Sequence, residues 1–243
     1  MLKNKVVIIT GGSSGLGKTI AQTFIKEKAK VAICSRRLSL LKKIYPRDKK
    51  VLLQKVDVSK EAAIKLFVKK TIKSFGRIDI LINNAGIALP SSIEKIKYLD
   101  LNKTFQTNLF APTIFIKEVL KSMKKNNYGR ILNISSGGSV NCSENYFGYS
   151  ASKAALNVLT KTFSKELKNY NIKVNSISPG PCKTKMFPLN KLSTNLSLPT
   201  IKHLSSLKED GPSGKFFWFM NEIDVFPNLK HINWGNPKSY KAK

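Results

Sequence analysis

Features that indicate membrane-spanning, secreted or metal-binding proteins are scarce in this sequence of 243 residues. No run of about 18 apolar residues occurs, so no membrane-spanning helix is predicted. The apolar run at residues 6–9 ends at Thr10 and is too short for a secretory signal. The three cysteines, Cys34, Cys142 and Cys182, are widely spaced and fit neither a disulfide framework nor a zinc site. A reducing cytoplasm is therefore the expected location.

Histidine and the acidic residues are also rare. The two histidines, His203 and His231, have no serine or acidic partner at a recognisable spacing, so a hydrolase triad is not expected. The ligand set that a metal ion needs is missing as well, and no metal site is predicted. The 14 acidic residues stand against 43 basic ones, which gives a net charge of +29.

This charge favours a nucleic-acid or anionic-membrane partner at first reading. The basic residues are, however, 38 lysines and 5 arginines. Arginine is the residue that forms paired hydrogen bonds with phosphates and base edges. They are spread along the chain, and asparagine and isoleucine are abundant too. We therefore expect a coding bias toward lysine and no specific nucleic-acid partner. Nonspecific binding of RNA or DNA at low salt stays open as a side effect.

Short apolar runs alternate with helical stretches along most of the chain. Strands are predicted at 5–9, 30–34, 51–56, 78–82, 130–134 and 173–177, and helices at 15–27, 61–74, 99–107, 111–125 and 150–168. Continuously apolar strands separated by helices indicate a parallel sheet covered on both faces. The predicted fold class is therefore α/β, a Rossmann-type doubly wound parallel sheet in a single domain.

The pattern weakens beyond Pro179. Residues 185–200 are predicted to form a loop or a short cap, 200–207 a helix and 215–219 an edge strand. We expect the domain to span residues 1–220, and residues 221–243 to form a basic tail that is extended and partly disordered.

A glycine-rich segment, TGGSSGLG, follows the first strand and opens the first helix. Glycines let the backbone approach a pyrophosphate, and the helix N-terminus offers free amides and a positive dipole. A plain flexible turn is the alternative interpretation. The candidate phosphate-binding residues are Gly11, Ser13, Ser14, Gly15, Leu16 and Gly17.

The spacing of this segment resembles the short-chain dehydrogenase/reductase family. Further motifs of that family follow in order, namely NNAG at 83–86, NISS at 133–136, YSASK at 149–153 and PG at 179–180. The resemblance covers about residues 6–217, and the GPSGKFF segment at 211–217 looks like the ending of carbonyl-reductase-like members. It implies a nicotinamide dinucleotide as cofactor.

The residues after the second strand bear on the choice of cofactor. An NAD site needs an acidic residue there, and this sequence has Ser35, Arg36 and Arg37. An arginine would bind a 2′-phosphate through charge-assisted hydrogen bonds, so NADP(H) is predicted. Alternatively, the two arginines are ordinary surface charges at the start of a helix. The resemblance assigns further cofactor contacts to Asp57, Val58, Asn83, Ala85, Gly86, Pro179, Gly180 and Thr184, with Thr184 on the carboxamide.

Tyrosine and lysine four residues apart lie on one face of a helix. This spacing occurs twice, at Tyr45 with Lys49 and at Tyr149 with Lys153, and Pro46 disfavours a helix through the first pair. A nearby cation favours the phenolate and lowers the pKa of a tyrosine. The second pair is therefore the candidate for proton transfer.

The resemblance gives this pair its partners and roles. Tyr149 would donate a proton, and Lys153 would lower its pKa and bind the nicotinamide ribose, so both also count as cofactor contacts. Ser136, 13 residues before Tyr149, would hold the carbonyl oxygen, with Ser135 as the neighbouring alternative. Asn108 would hold a proton-relay water, or would instead stabilise a helix bend.

The predicted function is NADPH-dependent reduction of an aldehyde or ketone. The alternatives are a 3-oxoacyl-carrier-protein reductase, whose acidic partner a basic surface would attract, and a noncatalytic NADP-binding or nucleic-acid-binding protein. The resemblance also implies a homodimer or homotetramer that pairs through the helices at 111–125 and 150–168.

Overall fold

The computed structural model describes residues 2–45 and 47–226 of the chain. Eight strands form one sheet in the order β3-β2-β1-β4-β5-β6-β7-β8. The first seven run parallel, and β8 pairs antiparallel with β7. The strands are β1 Val6–Thr10, β2 Lys30–Ser35, β3 Val51–Lys55, β4 Ile80–Asn83, β5 Gly129–Ile134, β6 Ile172–Ser178, β7 Phe216–Trp218 and β8 Asn221–Ile223.

Helices cover both faces of this sheet. They are α1 Gly15–Lys26, α2 Leu38–Ile44, α3 Glu61–Phe75, α4 Tyr98–Phe105, α5 Ala111–Lys125, α6 Gly138–Asn141, α7 Phe147–Glu166 and α8 Leu198–Ser205. Side chains of β1 alternate between two hydrophobic clusters, because neighbouring residues of a strand point to opposite faces. Val7 and Ile9 join the cluster with α1 and α8, whereas Ile8 joins the cluster with α3, α5 and α7.

The predicted fold class is confirmed: the sheet is mostly parallel and doubly wound. Most helix ends lie within two residues of prediction, and two differences concern the cavity. The helix predicted at 99–107 ends at Phe105 and continues as one π-helical turn, Gln106–Phe110. The helix predicted from 150 begins at Phe147, which puts Tyr149 in its first turn. Among the described residues, no helix combines the length and apolar character that a membrane crossing requires.

The C-terminal part of the sheet extends beyond the predicted domain boundary. The predicted edge strand is present as β7, and α8 corresponds to the predicted helix at 200–207. The boundary at 220 falls inside a hairpin, because β8 pairs with β7 and so belongs to the sheet. The rest of the predicted tail, residues 227–243, lies outside the described residues.

One arginine ties the start of β5 to two segments that are distant in the sequence. Arg130, in β5, is 1% exposed and donates hydrogen bonds to the carbonyl oxygens of Gly129, Asn171 and Leu207. Its guanidinium also lies 4.3 Å from the ring centroid of Tyr128. Carbonyl oxygens thus satisfy a buried cation that would otherwise be costly.

Candidate active site

A cavity of about 1380 Å³ opens at the carboxyl ends of the parallel strands, where ligands of doubly wound sheets bind. Most of the residues predicted from the sequence as site residues line it. They are Gly11, Ser13, Ser14, Gly15, Leu16, Gly17, Ser35, Arg36, Asp57, Val58, Ala85, Gly86, Ser136, Tyr149, Lys153, Pro179, Gly180 and Thr184. Asn83 and Asn108 are not part of the lining.

The glycine-rich turn packs closely against the end of β4. Gly11 has a φ of +72°, and a Cβ at this position would lie 3.0 Å from both the Ala85 Cα and the Asn84 Nδ2. Gly17, in the first turn of α1, leaves no room for a Cβ between the Asn84 side chain and the Gly11 carbonyl. The turn therefore needs glycine at these positions.

Hydrogen bonds from the Tyr45 and Asn84 side chains hold the same turn in place. The Tyr45 hydroxyl donates to the Gly12 carbonyl over 2.6 Å, and the Tyr45 side chain is buried. Asn84 Nδ2 donates to the Thr10 carbonyl over 2.9 Å. Ser14 precedes α1 but makes no side-chain cap, which leaves the first amides of α1 able to receive an anion. This turn fits a dinucleotide phosphate.

Arg37 links the turn to the end of β2. Its guanidinium donates to the Ser13 and Ser14 hydroxyls over 2.9 and 3.0 Å, and its amide donates to Ser35 Oγ over 2.9 Å. Arg36 lines the cavity beside it. The sequence predicted a basic pair at this position. Because the two arginines are adjacent, the sequence alone could not show which of them contacts the glycine-rich turn.

Asp57 contributes the negative charge on this side of the cavity. Burial acts to raise the pKa of its carboxyl group, but hydrogen bonds from Ser59 and the charges of Arg36 and Lys60 outweigh burial and lower it. The Ser59 amide and hydroxyl lie 3.0 and 2.8 Å from Asp57 Oδ1. The carboxylate is therefore ionised at neutral pH and able to accept hydrogen bonds from a ligand.

The candidate proton-transfer group lies where α7 faces the end of β5. Lys153 Nζ donates to the Ile134 carbonyl over 2.6 Å and lies 5.8 Å from the centroid of the Tyr149 ring. Burial lowers the pKa of Lys153 to about 8. Ser136 accepts a hydrogen bond from the Gly138 amide over 3.1 Å.

The pKa of Tyr149 differs in direction from the sequence-based expectation. Burial raises it, and the hydrogen bond with Ser136 lowers it by a smaller amount, so the net pKa lies above the ordinary value of 10. Removal of the phenol from water thus sets the direction of the shift, and the expected lowering by the Lys153 cation is not among its causes. Ser135, the alternative to Ser136, is buried and donates to the Lys153 carbonyl over 3.4 Å.

Asn83 lies behind the cavity. Its Nδ2 donates to Asn133 Oδ1 over 2.9 Å, and Asn133 in turn donates to Thr160 in α7. The sequence-based interpretation placed Asn83 on the adenosine side of a cofactor, whereas its neighbour Asn84 lines the cavity. The side chain of Asn83 instead joins β4 to β5 in the protein interior.

Asn108 lies in the π-helical turn, and its side chain bonds to protein groups. Its Oδ1 accepts from the Ile87 amide, and its Nδ2 donates to the Ile87 carbonyl and to Ser152 Oγ, at 2.9–3.0 Å. These bonds support the alternative that Asn108 stabilises the bend. It still borders the site, because a Cβ on Gly86 would lie 3.3 Å from Asn108 Oδ1 and 3.6 Å from Lys153 Nζ.

Two aromatic side chains pack around Tyr149. The ring centroid of Phe187 lies 5.8 Å from that of Tyr149, and the centroid of Tyr146 lies 6.4 Å from it. Both line the cavity, as does Trp218 from β7. Sequence reasoning missed them, because Phe187 stands in a loop without periodicity.

Among the described residues, no group of three His, Cys, Asp or Glu side chains could hold a metal ion.

Comparison with known proteins gives matches over most of the chain. The family model for short chain dehydrogenase matches residues 5–193. A relative from Mediterraneibacter gnavus, described as 3alpha-hydroxysteroid dehydrogenase, is 36% identical over 193 residues, which cover 76% of this chain and 77% of the relative.

Two solved structures share the fold over most of their length. One is the 3-ketoacyl-(acyl-carrier-protein) reductase from Brucella melitensis in complex with NADH, with a TM-score of 0.84 and 26% identity over 90% of this chain and 97% of that chain. The other is ElxO with NADP bound, with a TM-score of 0.82 and 29% identity over 89% of this chain and 97% of that chain.

Proposed function

Because this chain belongs to the short-chain dehydrogenase/reductase family, we propose that this oxidoreductase uses NADPH to reduce an aldehyde or ketone. The observation that carries the proposal is the position of Ser136, Tyr149 and Lys153 on the wall of the same cavity as the glycine-rich turn. With Tyr149 as proton donor and the glycine-rich turn as phosphate site, both would act in this one cavity.

The chain's own groups fit a dinucleotide. The amides at the start of α1 would hold the pyrophosphate, and Asp57 and Val58 would meet the adenine. Lys153 would bind the nicotinamide ribose, and Thr184 the carboxamide. A Cβ on Gly15 would lie 3.3 Å from the Thr184 Cγ2, so the loop after β6 reaches the turn.

Preference for NADPH over NADH rests on the two arginines. Arg36 lines the cavity at the end of β2, and Arg37 lies on Ser13 and Ser14. Replacement of Arg36 by Ala should raise the KM for NADPH about tenfold, because a charge-assisted hydrogen bond contributes about 1.5–3 kcal/mol. The KM for NADH should change less than twofold. An equal rise for both cofactors would contradict the preference.

The proposed mechanism needs one proton from the protein. The nicotinamide would supply the hydride. The hydroxyls of Ser136 and Tyr149 would hold the carbonyl oxygen, and Tyr149 would pass its proton to the alkoxide as it forms. Lys153, protonated below a pKa of about 8, would stabilise the phenolate that Tyr149 becomes. Water would then return the proton to Tyr149.

A substrate screen with a matched variant tests this function. Purified protein is mixed with NADPH and a panel of aldehydes, ketones and acetoacetyl-carrier protein, and NADPH oxidation is followed by absorbance. Replacement of Tyr149 by Phe should lower kcat about 10²–10⁴-fold, the usual contribution of a general acid. Undiminished turnover in that variant would refute Tyr149 as the acid, and turnover of the carrier-protein substrate alone would favour the 3-oxoacyl reductase.

We further propose a homodimer or homotetramer. Large apolar side chains stay exposed on the helices concerned: Phe110, just before α5, is 44% exposed, and Val158 of α7 is 52% exposed. Covering them would remove apolar surface from water. Light scattering at moderate salt tests this assembly, since salt screens the repulsion between chains of charge +29. A monomer at micromolar concentration would contradict it.

A further inference from the structure

The β7–β8 hairpin turns one face toward the cavity. Phe216 in β7 pairs with Ile223 in β8. Paired residues share a face of the sheet, and so do residues two apart along a strand. Phe216, Trp218 and Ile223 therefore lie on one face, and all three line the cavity. Phe217 points the other way and joins the hydrophobic core.

The hairpin is seated on the turn that follows β6. The Phe219 ring lies 5.6 Å from the Trp218 ring, measured between centroids. A Cβ on Gly180 would lie 2.8 Å from the Phe219 ring, so the aromatic ring packs directly on this glycine. Lys215 and Glu222 form an ion pair across the hairpin. These contacts fix Trp218 relative to the cavity.

Several large apolar side chains of the cavity remain exposed. Trp218 is 47% exposed, Met186 39% and Ile223 36%. Together with Tyr146 and Phe187, which pack beside Tyr149, they form what we call the apolar wall. Exposed apolar surface inside a cavity is typical of a surface that a ligand covers.

We propose that the apolar wall binds a carbonyl compound with a rigid ring system of more than one ring, and that Trp218 and Ile223 select for its size. This inference rests on the proposed reductase function. Aromatic side chains bind rigid rings at little cost in conformational entropy. Among the described residues that line the cavity, the only carboxylate is Asp57, on the far side by the glycine-rich turn, so the wall offers a cationic substrate no partner.

Paired ketones and paired variants test the inference. The ketones are cyclohexanone and 1-decalone, which share a carbonyl and differ by one ring. Replacement of Trp218 by Ala should raise the KM for 1-decalone about tenfold and change that for cyclohexanone less than twofold. Ile223→Ala should act in the same direction but less strongly. Met220→Ala is the control, because Met220 is 53% exposed in the same hairpin and does not line the cavity.

The outcomes separate this inference from the reductase function. If the wild-type protein reduces both ketones and Trp218→Ala leaves both KM values unchanged, the wall does not select substrate and the reductase function stands. If no ketone is reduced, the reductase function fails. Calorimetric titration of 1-decalone into the protein with oxidised cofactor then tests separately whether the apolar wall binds this ketone. Binding that weakens about tenfold in Trp218→Ala supports the wall, and absent or unaltered binding overturns it.

Discussion

The two sides of the large cavity are built in different ways. On the glycine-turn side, residues 11–17 and 35–37, the backbone of the glycine-rich turn and polar side chains form the wall, and Arg37 and Tyr45 hold that backbone in place. On the hairpin side, residues 186–187 and 216–223, the wall consists of apolar side chains carried by a loop and a two-stranded edge. The first side tolerates little change, because a backbone wall depends on conformation. The second can change its side chains without altering the fold.

Lys153 lies between the two sides and carries the largest expected effect. Burial lowers its pKa from 10.5 to about 8, a difference worth on the order of 3 kcal/mol. Between pH 8 and pH 10.5 the unfolded chain binds more protons than the folded one. Lys153 therefore increases the free energy of unfolding as pH rises through that window. Below about pH 8 the full cost of burying the cation applies.

Urea unfolding at pH 7 and pH 10.5 measures this cost. The difference in stability between wild type and Lys153→Met should shift by about 3 kcal/mol in favour of the wild type at the higher pH. The matched control is Lys165→Met, an exposed position of the same helix, which should give no such shift. A difference for Lys153→Met that stays constant with pH would show that the buried amine does not titrate in this window.

The next largest effect compares a glycine of the glycine-turn side with a glycine that lines the cavity elsewhere. A Cβ on Gly17 would collide with the Asn84 side chain and the Gly11 carbonyl, so Gly17→Ala should weaken NADPH binding about a hundredfold. Gly137 lines the cavity after β5 and has helical dihedrals, and the atoms nearest to a Cβ there lie 3.8 Å away. Gly137→Ala should leave NADPH binding unchanged. Fluorescence titration of NADPH measures both, and similar losses would break the contrast between the two sides.

Phe187 tests the hairpin side alone. Its ring packs edge-on against Tyr149 and tilted against Tyr146, and such pairs are worth about 0.5–1.5 kcal/mol each. Phe187→Ala should raise the KM for a bicyclic ketone about tenfold and leave the KM for NADPH within twofold. Leu189→Ala, at a 92% exposed side chain of the same loop, serves as control. A rise in the KM for NADPH of the same size would mean that the loop mainly supports the cofactor.

The smallest expected effect is that of replacing Tyr45, which holds the glycine-rich turn, on NADPH binding. Tyr45→Phe removes the hydrogen bond to the Gly12 carbonyl and leaves that oxygen without this partner, at a cost of about 1 kcal/mol. NADPH binding should weaken about fivefold while kcat stays the same. Titration and steady-state kinetics separate the two quantities. A fall in kcat with unchanged binding would place the role of Tyr45 outside the turn.

The same contrast explains what the sequence could predict. The glycine-rich turn and the Tyr149–Lys153 pair, which line the cavity, could be predicted because their residues stand at fixed spacings from strand ends and from Ser136. Asn83 was predicted to lie on the adenosine side of a cofactor. Its side chain bonds to Asn133, and the side chain in the cavity lining at the end of β4 is that of its neighbour Asn84, because side-chain direction changes from one residue to the next.

Other features have no signal in the sequence. Strand β8 has three residues, Asn-Glu-Ile, which are too few for a periodic pattern and lack β-branched repetition. Phe187 and Trp218 depend on where a loop and a hairpin fold back, which is a long-range property. Burial likewise reversed the expected direction of the Tyr149 pKa, because desolvation is set by the finished fold.

The carbonyl oxygens around Arg130 have a consequence for the order of events during synthesis. Strand β5 leaves the ribosome carrying a guanidinium whose acceptors at Asn171 and Leu207 are 41 and 77 residues further along the chain. Until Leu207 has been made, burying that cation would leave donors unpaired at a cost of several kcal/mol. We therefore expect the nascent chain to keep the centre of its sheet open until most of the protein has been translated, and ribosome-bound chains that end before residue 207 to be more sensitive to protease than longer ones.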